Sequence, residues 1–300
     1  MENSHDGSLR DSPKDSPNEW VNTVLTGETQ TSLKLLESAA TPRPTTSLYG
    51  TRCKIQPGAD ELPVLKVGEP TTGCQLKSFA PDSPSAISLR DAEMTSAHIY
   101  QKAGEWVSRF PTGSGFVVAS RGTKCLVVTD NHVVAGSEDE LEVKIGNDRL
   151  RAAKVAVADP SNDLAIMSIE TGADTAAICK PVKIAPPGFS SPEDEVAVVG
   201  YPAHSESLYI SQGANLGIIR RKDYRDGDGD ELPVLPGENP DRPILLMRMH
   251  VEGGNSGSAV YNGKSEVGAV LDGGDSNKLN SAFATPITQE QIDSLLSKIQ

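Results

Sequence analysis

Apolar residues along most of this chain fall into short runs separated by turn-forming residues. The first set lies at 106–110, 115–119, 125–129, 141–145, 152–158 and 164–169, a second at 196–199, 209–212, 214–220, 244–250, 259–261, 267–271 and 281–284. These runs are rich in Val, Ile, Leu and Ala, and Gly, Pro, Asn and Asp gather between them. Short strands at such spacing predict a β-sandwich or barrel. Between the sets, the stretch opening on Pro186-Pro187-Gly188 predicts a linker to about residue 195. Helix enters the pattern twice. Residues 92–103 read as a weak helix ended by Gly104, and Ile292, Leu295, Leu296 and Ile299 form one apolar stripe near the C-terminus. Thr288 and Gln291 stand at capping-box spacing before that stripe, which predicts a terminal helix over 288–300 packed on the second strand set.

Residues 1–91 follow no such pattern. They are rich in Ser, Thr and Pro, with Ser12-Pro13, Ser16-Pro17 and Pro81-Asp82-Ser83-Pro84 among the clusters. Such a composition buries too little apolar surface to offset the entropy of ordering, so a largely disordered tail is expected before a folded domain at 92–300. One oddity links the two regions. Asp60-Glu61-Leu62-Pro63-Val64-Leu65 recurs as Asp230-Glu231-Leu232-Pro233-Val234-Leu235, each copy followed by Gly-Glu and a proline. No fixed-period repeat accompanies it, which excludes a solenoid.

Charge narrows the function. A formal net charge of -13 argues against neutralising nucleic-acid phosphates and against an anionic membrane surface. No run approaches the roughly 20 apolar residues of a membrane span, and the N-terminal residues lack the apolar core of a secretory signal, so the expectation is cytoplasmic. Of four cysteines, Cys125 and Cys179 sit in apolar contexts and read as buried free thiols. The five histidines are scattered, with no metal-ligand spacing, so neither metal nor cofactor is expected. The acidic run Asp226-Gly227-Asp228-Gly229-Asp230 lacks the Gly and Glu positions of an EF-hand and reads as a solvated loop.

Three motifs carry chemistry, in chain order. They are Thr129-Asp130-Asn131-His132-Val133-Val134, Asp159-Pro160-Ser161-Asn162-Asp163-Leu164-Ala165-Ile166 and Gly253-Gly254-Asn255-Ser256-Gly257-Ser258. Acyl transfer by serine needs a hydroxyl, an imidazole to take its proton and a carboxylate to hold the imidazole's tautomer. It also needs backbone N–H groups aimed at the developing oxyanion, and glycines around the serine let the backbone turn that tightly. The Gly-x-Ser-x-Gly elbow of α/β-hydrolases does not apply, because Ser258 holds its last position and the chain order is His, Asp, Ser.

From about residue 96 to the end, these motifs resemble the trypsin-like serine proteases, in their HtrA-type and glutamyl-endopeptidase-type branches. Gly113-Ser114-Gly115-Phe116 and Val199-Gly200-Tyr201-Pro202 add to the likeness. The resemblance implies an all-β fold of two six-stranded antiparallel Greek-key barrels, at about 96–185 and 193–287. It implies a serine endopeptidase acting on protein or peptide substrates, with catalytic His132, Asp163 and Ser256 and an oxyanion hole from the N–H groups of Gly254 and Ser256. It also places His250 at the base of the primary substrate pocket, with Leu271 and Gly273 along its wall. Glutamyl endopeptidases carry a histidine on that wall where Val270 and Leu271 stand here, so a small or medium apolar residue before the scissile bond is favoured. Ser258 departs from the glycine usual in the HtrA type. PDZ domains usually follow the protease in that type, whereas this chain closes on its helix, so peptide-gated assembly does not carry over. The rival reading is a catalytically inactive trypsin-like fold that binds peptides or acts as a scaffold.

Overall fold

The computed structural model describes residues 52–54, 92, 94–103, 108–137, 140–202, 208–275 and 281–299. The expected tail therefore lies outside the described residues, except β1 (Arg52–Lys54). That strand pairs antiparallel with the start of β9 (Tyr209–Arg220), Arg52 opposite Ser211.

The first barrel is built from β2 (Ser96–Ala103), β3 (Ser108–Arg121), β4 (Lys124–Asp130), β5 (Leu141–Ile145), β6 (Arg151–Asp159) and β7 (Leu164–Glu170). They close in the order β2-β3-β4-β7-β6-β5, every pairing antiparallel. Ala97, Ile99, Val117, Val127, Val143, Ala165, Met167 and Ile169 meet at its centre. The helix expected over 92–103 is a strand from Ser96 onward. Ala97 and Ile99 fill the barrel while His98 and Tyr100 are buried on the other face, so tertiary burial on both sides overrides a weak local preference. Cys125 and Cys179 are not free thiols: they form a disulfide with Cα atoms 5.5 Å apart. It ties β4 to the residue after the short helix α2 (Thr175–Ile178) inside the same core.

The second barrel takes β8 (Glu195–Gly200), β9, β10 (Pro243–Arg248), β11 (Ala259–Asn262), β12 (Val267–Gly274) and β13 (Ala282–Pro286). The order is β9-β10-β13-β12-β11-β8, and β8 returns to β9 to close the ring. The runs at 209–212 and 214–220 are one strand. Gly213 does not break it; a Cβ there would fall 2.5 Å from that of Met249, so the missing side chain admits a neighbouring backbone. Val196, Val198, Leu245, Met247, Val260, Ala269 and Leu271 form this barrel's core.

A third apolar cluster joins the barrels. Phe116, Leu126, Val128, Leu164 and Ile166 of the first meet Val199, Ile210, Tyr261, Val267 and Val270 of the second. The terminal helix, here α3 (Gln289–Ser297), adds Ile292, Leu295 and Leu296 to it, so the helix seals both barrels rather than the second alone. Thr288 caps it as its spacing predicts: its Oγ1 accepts from Gln291 N, and the Gln291 side chain accepts from Thr288 N. Among the described residues no helix is long and apolar enough to cross a membrane.

Candidate active site

The first barrel supplies one wall of a cleft at the ends of β4 and β7. After β4 the chain makes a single helical turn, α1 (Asn131–Val134), anchored by buried Val133 and Val134. Asp163 meets that turn from the start of β7. The turn Pro160–Asn162 before it forces Asp163 into the left-handed region, φ 55 and ψ 43, which Asp tolerates better than most residues. Its carbonyl accepts from Asn131 N at 3.0 Å and its Oδ1 from His132 N at 2.9 Å. These are two of the donors a helix start leaves without partners. Its Oδ2 stands 2.7 Å from His132 Nδ1. One buried carboxylate thus fixes both the backbone and the ring of His132, and a proton on Nδ1 leaves the Nε2 lone pair facing outward.

The second barrel supplies the serine loop, which is stapled to the first. Ser114 N donates to Ser256 O at 2.8 Å, Ser114 Oγ donates to Gly254 O at 2.8 Å, and Tyr201 N donates to Ser114 Oγ at 2.9 Å. A Cβ on Gly113 in β3 would fall 2.6 Å from Val133 Cγ1 and 3.0 Å from Ser256 O, so the glycine lets the helical turn and the serine loop approach the same strand. Gly254 and Gly257 have φ of 92° and 86°, and Asn255 N donates to Glu252 O at 3.1 Å. The resulting turn directs the N–H groups of Gly254 and Ser256 to no acceptor among the described residues. Ser256 Oγ donates to the carbonyl of Asp272 at 2.9 Å.

Behind the cleft lies a buried ionic network that the sequence motifs did not signal. Arg242 is the largest fully buried side chain of the described residues. It donates to Glu238 Oε1 from Nε and Nη2, to Asp272 Oδ2 at 2.9 Å and to Thr285 Oγ1 at 2.6 Å. Arg221 pairs with the same Glu238 and holds the carbonyls of Leu232 and Pro233. This anchors the second copy of the duplicated hexapeptide, whose Leu232, Pro233 and Leu235 line a pocket with His132, Asp163 and Phe283. The first copy, at 60–65, lies outside the described residues. Only Asp272, a charge at the end of the apolar run Val267–Leu271, could have hinted at the network.

These charges set the protonation of the site. Burial works against the charged imidazole of His132, but the hydrogen bond and charge of Asp163, with the charge of Asp272, outweigh it and hold the ring above its ordinary pKa; Arg242 opposes them. Burial, opposed chiefly by Arg242 and reinforced by Asp163, pushes the Asp272 carboxyl up to about 6.

The expected pocket residues fare unevenly. His250 is partly exposed, and its Nε2 meets Glu252 Oε1 at 3.0 Å. Gly273 faces open space, a Cβ there meeting only Phe283 Cζ at 3.9 Å. Leu271 does not line a pocket: it is fully buried in the second barrel's core, because strand alternation turns it inward and leaves only its backbone, which accepts from Gly257 N at 2.8 Å, near the serine.

Comparison with known proteins agrees with this architecture. Among solved structures, the active form of the Rv3671c protease of M. tuberculosis is similar over 82% of this chain and 94% of its own, with a TM-score of 0.54 and 23% identity. The HtrA-type protease AlgW, bound to a decapeptide, covers 70% of this chain and 66% of its own, with a TM-score of 0.54 and 17% identity. At such identities the likeness concerns the fold. Among curated proteins, the serine protease Do-like HtrA of Lactobacillus helveticus is 29% identical over 159 residues, 53% of this chain and 34% of that protein. Protease Do-like 2, chloroplastic, of Arabidopsis thaliana is 26% identical over 170 residues, 56% of this chain and 24% of that protein. The match thus spans a quarter to a third of these relatives. The trypsin-like peptidase domain matches residues 113–270, more than half of the chain and every motif from Gly113 to the serine loop, so the chain belongs to the trypsin-like peptidase family.

Proposed function

We propose that the protein is a serine endopeptidase in which Ser256, His132 and Asp163 act as one unit on protein or peptide substrates. The observation that carries this reading is the double grip of Asp163 on His132, at backbone N and at Nδ1, in a chain whose Ser256 sits on a glycine turn. Ser256 Oγ leaves the Asp272 carbonyl by rotation about χ1 and gives its proton to His132 Nε2 as it attacks the scissile carbonyl carbon. The N–H groups of Gly254 and Ser256 receive the oxyanion. The imidazolium, stabilised by Asp163, then protonates the leaving amine, and an acyl-enzyme on Ser256 remains. Water, deprotonated by the same imidazole, releases the acid.

A fluorophosphonate probe tests this directly. It should label the wild-type protein and not Ser256→Ala, and a peptide library should be cleaved by the first alone. A protein that binds peptides but takes no label at Ser256 would instead be a silent member of the family with a binding or scaffold role.

A further inference from the structure

One buried group beside the base has no part in that mechanism. Asp130 ends β4, two residues before His132, and is wholly buried. Neither of its carboxyl oxygens has a hydrogen-bond partner. The carboxyls of Asp272 and Asp163 act on Asp130 by charge, as does the guanidinium of Arg242. Three carboxyl groups thus surround this corner against one guanidinium. A buried carboxylate is costly unless it is paired or coordinates a metal.

The geometry supplies a second ligand. Asp130 Oδ2 lies 3.9 Å from His132 Nε2. Ligand atoms of Asp130, His132 and Asp163 all lie within 4.8 Å of one another. Asp163 already holds Nδ1, which leaves Nε2 as the free lone pair; a carboxylate behind an imidazole is the arrangement that orients histidine toward a metal. With metal–ligand bonds of about 2.0–2.2 Å, a tetrahedral ion needs nitrogen and oxygen roughly 3.4 Å apart, so the pair must close by about half an ångström. The His132 ring is 31% exposed, which opens the site to the cleft.

We propose that Asp130 and His132 Nε2 form a site for a divalent transition-metal cation of the zinc class, and that the bound ion blocks the lone pair that would take the serine proton. An imidazole with a carboxylate suits zinc better than magnesium or calcium. Water completes the coordination. The blocking rests on the catalytic reading above; the binding does not.

The test therefore separates the two. Zinc chloride is titrated calorimetrically into full-length Ser256→Ala protein, and separately into wild-type protein hydrolysing a peptide. One site is expected, weakened roughly tenfold or more by Asp130→Asn and abolished by His132→Gln. His250→Ala, which removes the His250–Glu252 pair, should leave it unchanged. Peptide hydrolysis should fall with zinc, recover with chelator and ignore magnesium. Binding that survives His132→Gln or is indifferent to Asp130→Asn overturns the site, and zinc that binds without inhibiting overturns the blocking. Should Asp130→Asn fail to fold, zinc X-ray absorption on the Ser256→Ala protein decides: one imidazole among oxygen ligands supports the site, several imidazoles or sulfur overturn it. If no variant hydrolyses peptides, the protease reading fails while the calorimetry still judges the site.

Discussion

The two walls of the cleft are held by different physics. On the first barrel, His132 stands on a one-turn helix and Asp163 follows a turn opening on Pro160, and the Asp163 carboxylate ties the two turns together. Behind them lies an apolar core closed by the Cys125–Cys179 disulfide. On the second barrel, Ser256 and Asp272 are backed by Arg221, Glu238 and Arg242, the last two only four residues apart, buried together behind β12. A local device tolerates change elsewhere in the chain, whereas a buried ionic network fails when any one member is lost. The three motifs mark His132, Asp163 and Ser256, and the network behind Ser256 carries no motif.

The largest effects should fall where the walls meet. If the residues act as the unit proposed, Ser256→Ala and His132→Ala should each lower kcat by several orders of magnitude, and the double variant should be little worse than either. Asp163→Asn should lower kcat by about 10⁴-fold through the wrong imidazole tautomer. Steady-state kinetics on one peptide checks all of these, and additive losses would break the unit apart.

Stability should separate the walls next. Arg242→Met leaves Asp272 and Glu238 buried with less compensation and should cost about 3–5 kcal/mol. Replacing Cys125 and Cys179 by serine should cost about 2–4 kcal/mol through the freed chain. Denaturant unfolding of both variants measures the contrast. Equal and small losses would mean that the network contributes no more rigidity than a surface ion pair.

A smaller effect concerns pH. The charge of Asp272 helps hold His132 above its ordinary pKa, and the base must be neutral to work. Asp272→Asn should therefore move the acid limb of log kcat/KM to lower pH by a fraction of a unit. A limb that stays in place would show that Asp163 alone sets the base.

The smallest effect lies away from the cleft. Burial raises the Glu195 carboxyl to about 7, and its Oε2 has no hydrogen-bond partner. A carboxyl whose pKa is raised in the folded state contributes stability below its unfolded pKa and loses it as pH rises through the folded value. Glu195→Gln should thus raise Tm slightly at pH 8 and leave it nearly unchanged at pH 4. An equal change at both would assign the effect to packing.

Most of the strands, the capped terminal helix and the order of the three motifs were legible in the sequence, because each depends on residues within a few positions of one another. Val-rich runs between turns, Thr288 three residues before Gln291, and His132 just after an apolar strand are local facts. Where local preference was weak, as at 92–103, burial on both faces of β2 decided the outcome. Only the tertiary structure could join Cys125 to Cys179, turn Leu271 into the core, set the second hexapeptide copy beside His132, or bury Arg242 between Glu238 and Asp272. Apart from the Glu238–Arg242 step, those relations span tens of residues, and the physical quantities that fix them, desolvation and the pairing of distant charges, exist only once the barrels have closed.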